Sequence, residues 1–260
     1  MLTASATRKN RPSVPAEPLH MMLVLGAFVI LAIASIVRTT AGFGFSLVAV
    51  PLLALLVEPA AAVVIAGIMA APLSLWIAIR DWRHIDRRLA GITVLSGLAG
   101  VPLGIWLLAT LPSEALMIAI AVVVVLGTFL VWRKATLRGG SATVIGVGLF
   151  CGASFAATGI DGPPMVAAMQ SMKLEPRVQR ATLGAVFSGT SLAALAGFGF
   201  SGQLTATVGQ MLLAGVPAFL VGILAGEKIF HRLNAERFRS AVLGLLAVSS
   251  VSMLLRVATA

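Results

Sequence analysis

Two short stretches gather the groups that can do chemistry in an otherwise inert sequence. The first is Arg38-Thr39-Thr40-Ala41-Gly42-Phe43-Gly44, followed closely by Ser46. The second is Thr158-Gly159-Ile160-Asp161-Gly162-Pro163-Pro164. Both interrupt long apolar runs. A guanidinium offers paired N–H donors to an oxyanion. Thr39, Thr40 and Ser46 add hydroxyls, and Gly42 and Gly44 let the backbone come close to a ligand. A helix starting just after such glycines presents free N–H groups and the positive end of its dipole. Thr158, Gly159 and Gly162 are the equivalent anion-binding candidates of the second stretch. Asp161 is the one acidic residue within an apolar region. Ionised, it repels an anion; protonated, it can donate to one, which makes it a candidate for proton or cation coupling. Plainer roles stand beside these. The glycines can serve close helix packing, Arg38 can reach for an interface, and Asp161 can cap the helix that its prolines open. Because Pro163 and Pro164 carry no N–H, the first stretch is expected to favour an anion over the second.

Such groups need elements to hold them, and composition says in what solvent. The 260 residues are 59% hydrophobic and 11% charged, against about 45–50% and about 25% in soluble domains. That much apolar surface requires lipid. The net charge of +10 comes from 19 basic and 9 acidic residues, and the basic ones fall in short clusters between apolar runs, which argues against a nucleic-acid face. A single cysteine, Cys151, excludes a disulfide framework and a multi-cysteine metal site. His20, His84 and His231 lie far apart in sequence. No metal, cofactor or catalytic residue is therefore expected. An enzyme would need a nucleophile and base, or metal ligands, at membrane depth. A phosphate-binding loop of the Gly-rich Lys-Ser/Thr type is missing too, so ATP-driven transport would need a separate subunit.

About 20 apolar residues span a bilayer as a helix. Candidate spans are 60–79, 89–110, 115–132, 181–200, 206–225 and 240–257, with 21–57 and 142–172 long, apolar and broken near the middle. Residues 1–19 read as a disordered polar tail. The loops 80–88, 133–138, 173–180 and 226–239 hold 14 of the 19 basic residues, whereas 58–59, 111–114 and 201–205 hold none. By the positive-inside rule the four basic loops are cytoplasmic. The region 142–172 then enters and leaves on that side. Its piece after the break is about 9 residues, or roughly 14 Å, half a bilayer. Arg177 and Arg180 either attract anions at the cytoplasmic mouth or anchor their helix to headgroups. Trp76, Trp82, Trp106 and Trp132 sit near span ends, as interfacial residues do.

The halves echo each other. A shift of 117 carries Val57-Glu58-Pro59 onto Leu174-Glu175-Pro176, and Gly67 onto Gly184. A shift of 115 carries Ala99-Gly100-Val101-Pro102 onto Ala214-Gly215-Val216-Pro217. By the charges, 60–79 and its counterpart 181–200 run in opposite directions, so the repeats (20–138 and 139–260, in one membrane domain) are inverted. Symmetry then makes 21–57 a hairpin entering from outside, against the preference of Arg8, Lys9 and Arg11 for the cytoplasm. The alternative is one long broken helix that starts inside.

At the breaks, Ala41-Gly42-Phe43-Gly44-Phe45-Ser46-Leu47-Val48-Ala49-Val50-Pro51-Leu52-Leu53 resembles the first-repeat motif of the sulfite exporter TauE/SafE family, and Thr158 to Pro164 resembles its second-repeat version. The resemblance covers about residues 22–256. The chain departs from the usual run of three glycines, with Phe43 and Phe45 around Gly44 and two prolines after Gly162; this bears on substrate more than on fold. The resemblance implies a bacterial inner-membrane carrier of sulfite, sulfoacetate or a related sulfonate. The expectation is an all-α polytopic membrane protein: two inverted repeats, each a Gly-rich broken hairpin and three transmembrane helices. It would export a small sulfur-containing anion by alternating access. A small-anion channel or a carrier of a non-sulfur organic anion is the alternative. Expected partners are the anion and membrane lipids, with a homodimer left open and no nucleic acid.

Overall fold

A computed structural model describes residues 16–41, 44–133, 140–172 and 174–230, with Gly244, Val248, Val251, Ser252 and Leu255 beyond them. Every regular element among the described residues is helical. In order they are α1 (Ala16–Ala41), α2 (Phe45–Leu53), α3 (Pro59–Arg80), a single 3₁₀ turn (Trp82–His84), α4 (Arg87–Thr110), α5 (Ser113–Trp132), α6 (Ser141–Thr158), α7 (Gly162–Gln170), α8 (Pro176–Phe200) and α9 (Ala206–Phe230). Seven of these are long and apolar enough to cross a bilayer: α1, α3, α4, α5, α6, α8 and α9. The chain is a multi-pass membrane protein. Residues 16–19 of the stretch read as a polar tail belong to α1, which starts at Ala16 with Pro18 in its first turn, where a missing N–H costs nothing. The span expected over 240–257 falls largely outside the described residues; those described there are helical.

Helix boundaries follow local chemistry. Pro59 and Pro176 open α3 and α8 at the first helical position, each after a glutamate. Asp86 caps α4, its carboxylate accepting the Leu89 N–H at 3.0 Å. The one-residue match of sequence extends to these boundaries. A shift of 117 takes the end of α1 (Ala41) to the end of α6 (Thr158), all of α2 onto α7, and the start of α3 onto the start of α8.

Packing depends on glycines that admit a neighbour's backbone. At Gly100 a Cβ would strike the Leu149 carbonyl and the Ala153 amide; at Gly104, the Ala153 carbonyl; at Gly152, the Gly97 carbonyl. Residue numbers rise together along this seam, so α4 and α6 run parallel. The α1–α9 seam has the same design: Gly215 meets Leu31, Gly222 meets Ala32 and Ser35, and Gly226 meets Ile36 and Thr39. Between them α3 and α8 cross antiparallel, with Phe198 filling the space at Gly67 and Ile77 that at Gly184. Leu56, just past α2, lies against Gly26, so α2 runs back along α1. Outward faces carry Leu95, Leu103 and Trp106 on α4, and Leu213, Leu220 and Leu224 on α9, the surface lipid would cover. All four tryptophans are exposed.

These contacts set a stability contrast. Gly100→Ala drives a methyl into the α6 backbone and should cost about 1–3 kcal/mol, as overpacking does. Gly91→Ala, with nothing within 4 Å of the added carbon, should be neutral or slightly stabilising. Apparent Tm in detergent reads the difference.

Candidate functional site

The site is assembled from the ends of α1 and α6 and from two buried side chains of α3 and α8. Sequence placed the start of the first break at Arg38. The helix instead continues through Arg38 to Ala41; the Thr39 hydroxyl finds its partner within the helix, on the Ser35 carbonyl at 2.8 Å, so its polarity does not end the helix. Gly44, just before α2, adopts φ +92°, a conformation that strongly favours glycine. Ser46 is buried in the first turn of α2. Gly42, and the side chain of Thr40, lie outside the described residues.

Arg38 is therefore rigidly mounted, and it is 6% exposed. Its Nη2 donates to Ser74 Oγ of α3 at 2.7 Å, and Ser74 in turn donates to the Ala70 carbonyl at 3.2 Å. The guanidinium carbon lies 5.8 Å from the centroid of the Phe187 ring of α8, within cation–π range. Its Nε has no hydrogen-bond partner among the described residues. A buried guanidinium with an unmet donor is costly. It is the kind of donor an oxyanion satisfies.

The second break is fully described. Helix α6 ends at Thr158, Gly159 takes φ +73° with its N–H on the Phe155 carbonyl, and α7 begins at Gly162. Thr158 Oγ1 donates to the Ser154 carbonyl at 2.8 Å. Asp161 stands at the N-cap position, yet its side chain makes no capping bond. The reason is in the sequence: the second and third helical residues, whose N–H groups a cap would take, are Pro163 and Pro164. The half-buried carboxylate is thus left for other partners. Arg38 is near enough for each charge to act on the other, although no direct ion pair joins them. The two exceptional charges of the sequence share one region of the interior.

Arg177 and Arg180 are placed differently. Both are exposed at the start of α8, and Arg177 pairs with Asp81 at 3.6 Å. Nearby, the Asp86 N–H donates to Thr182 Oγ1 at 3.0 Å. These contacts bring the basic segments 80–88 and 173–180 to one end of the molecule. Sequence reading missed Ser74 and Phe187, which hold Arg38, and Ser154, which donates to the Ile160 carbonyl at 2.6 Å. Ser74 had one available signal: the shift of 117 pairs it with Ser191, which is likewise buried.

A family model described as Sulfite exporter TauE/SafE matches residues 27–253, most of the chain. Neither a curated protein nor a solved structure gives a match.

The Arg38 mounting can be tested apart from transport. Ser74→Ala strips the guanidinium of its acceptor and should cost about 1–3 kcal/mol in thermal unfolding, as an orphaned buried donor does. Ser188→Ala, which loses only a bond to its own helix at the Gly184 carbonyl, should cost clearly less.

Proposed function

The chain belongs to the sulfite exporter TauE/SafE family, and from that premise we propose that it exports a small sulfur-containing anion, sulfite or a sulfonate, across a bacterial inner membrane. The observation that carries this reading is Arg38: buried, held by Ser74 and Phe187, and with an Nε left unpaired among the described residues. A tetrahedral sulfonate or pyramidal sulfite presents several oxygens to such a fork. The other residues assigned to the anion in this reading are Thr39, Thr40, Gly42, Gly44 and Ser46 of the first break, and Thr158, Gly159 and Gly162 of the second.

In this reading the protein is a secondary carrier built from two inverted repeats, 20–138 and 139–260, each with a broken hairpin and three spans. Support comes from the element boundaries that repeat at a shift of 117 and from the reciprocal pairs α4–α6 and α1–α9. The antiparallel crossing of α3 and α8 is what a two-fold axis in the membrane plane would produce. The basic loops 80–88, 133–138, 173–180 and 226–239 face the cytoplasm, in keeping with the meeting of two of them at Arg177 and Asp81. The parallel run of α1 and α9 supports the start of α1 on the outer side. Arg177 and Arg180 sit where they raise the local concentration of anions at the cytoplasmic mouth. Export of each negative charge from a negative interior gains about 2.3 kcal/mol per 100 mV, so membrane potential alone can drive it.

Asp161 supplies the coupling element. Ionised, it competes with the substrate for Arg38; protonated, it leaves the guanidinium to the anion. The other groups near it are the Cys151 thiol and Arg38 itself. An alkylsulfonate, whose charge does not change with pH, is the right probe. In proteoliposomes its flux should rise as pH falls in the wild type, and Asp161→Asn should flatten the profile at a high rate. An Asp161→Asn profile that keeps the full pH dependence removes the coupling role.

The function itself is tested by counterflow of labelled sulfite, with sulfoacetate, thiosulfate and simple carboxylates as competitors. Saturable counterflow identifies a carrier; its absence with conductive flux identifies a channel. Arg38→Ala and Arg38→Lys should both lower kcat/KM by about tenfold or more, because a point charge cannot replace the planar fork. Normal transport by both ends the binding role of Arg38.

A further inference from the structure

The second break has a feature that its anion-binding role alone does not account for. Two side chains of α6 reach forward onto consecutive carbonyls of the unwound segment. Ser154 Oγ donates to the Ile160 carbonyl at 2.6 Å, and Cys151 Sγ donates to the Asp161 carbonyl at 3.2 Å. Ser154 is further fixed by Thr158, whose hydroxyl lies 3.4 Å from its own. Ser154 and Cys151 are 7% and 2% exposed, so neither bond competes with water.

A trans peptide points its C=O and its N–H in opposite directions, and no cis bond occurs among the described residues. Holding the Ile160 carbonyl toward α6 therefore turns the Asp161 N–H away from α6. Holding the Asp161 carbonyl does the same for the Gly162 N–H. Neither N–H donates to another residue among the described ones; the group resting against the Asp161 N–H is that residue's own carboxylate. Pro163 and Pro164 remove the next two donors. The break thus turns two N–H groups away from α6, that of Asp161 beside its own carboxylate, in the region where Arg38, its Nε unpartnered among the described residues, lies within electrostatic reach of Asp161. Without the clamps both peptide planes could rotate, since Gly159 and Gly162 flank the segment and restrain it little.

We propose that Ser154 and Cys151 are positioning residues of the transport site: they fix two peptide planes so that the Asp161 and Gly162 amides face the anion beside Arg38. Neither touches the substrate. The thiol is the weaker donor, so Ser154 sets the geometry and Cys151 refines it. The proposal rests on the reading of the second break as part of the anion site.

The test is radiolabelled sulfite flux through the full-length protein in proteoliposomes, with KM and maximal rate measured separately. A neutral hydrogen bond of this class corresponds to about a three- to tenfold change. Ser154→Ala should raise KM by about that factor, with the maximal rate held within about twofold. Cys151→Ala should raise KM by less, and Cys151→Ser, which keeps a donor, should restore the wild-type value. Arg38→Ala is run alongside. Wild-type KM in Ser154→Ala and Cys151→Ala, with Arg38→Ala inactive, overturns the clamps and leaves the anion site standing. Wild-type transport by Arg38→Ala overturns the site reading itself. A fall in maximal rate at unchanged KM also counts against the clamps, because packing damage acts that way. If Ser154→Ala does not insert, the Cys151→Ala and Cys151→Ser pair decides by the same criterion.

Discussion

A bilayer interior offers no hydrogen-bond partners, so each polar group placed there must find one in the protein. Several hydroxyls within the helices of this chain meet that demand in the same way. Ser35, Thr39, Thr93, Ser188 and Thr190 all turn their hydroxyls back onto carbonyls of their own helix. Such residues are satisfied before any neighbour arrives. Against that background the unsatisfied groups stand out. Among the described residues Arg38 has one acceptor, Ser74, and its Nε has none. Asp161 has a capping position and no N–H to cap. Both sit at the interruptions of long helices, where backbone donors are also released.

The same demand explains the glycine usage. Tight contact of two backbones in lipid gains dispersion energy that a hydrophobic effect cannot supply between helices. Gly97, Gly100, Gly104, Gly148 and Gly152 line a single seam between α4 and α6. Gly44 and Gly159 are different, since positive φ is what each provides. Glycine therefore does two jobs here. It locks helices together at the seams and releases the chain at the breaks.

Much of this was legible in the sequence because lipid makes the code strict. Runs of apolar length give α3, α4 and α5 to within two residues, whereas α8 starts five residues before its expected span and α9 ends five residues after it; the glycine-proline break at 159–164 marks where α6 yields to α7. The first break was misjudged by one turn, since Arg38-Thr39-Thr40 reads as polar although the Thr39 hydroxyl finds its partner within the helix. Asp161 read as an N-cap from its position; only the identity of the next two donors, both prolines, shows that the cap is impossible. Ser74, Phe187 and Ser154 carried no local signal. Each lies within an apolar helix, and its role arises from a partner elsewhere in the chain: Ser74 is 36 residues from Arg38 in sequence. Long-range partners of this kind are set by helix crossing and register, which periodicity alone does not give.

Arg38 occupies a seam rather than a subunit of the packing. Its own helix is locked to α9 through Gly222 and Gly226, while the break carrying Asp161 belongs to α6, which is locked to α4. Its acceptor and its ring come from α3 and α8, the crossing pair between those two glycine-locked units. Backbone-tight seams are poor places for movement, because small displacements there cost full overlap. The α3–α8 contact is different. Phe198 and Ile77 fill its gaps at Gly67 and Gly184, and side chains can change rotamer where backbones cannot. Arg38 thus lies beside a contact whose gaps are filled largely by side chains. Carriers built from inverted repeats hold their substrate where the two repeats meet, and here the two interior charges, Arg38 and Asp161, come one from each half of the chain.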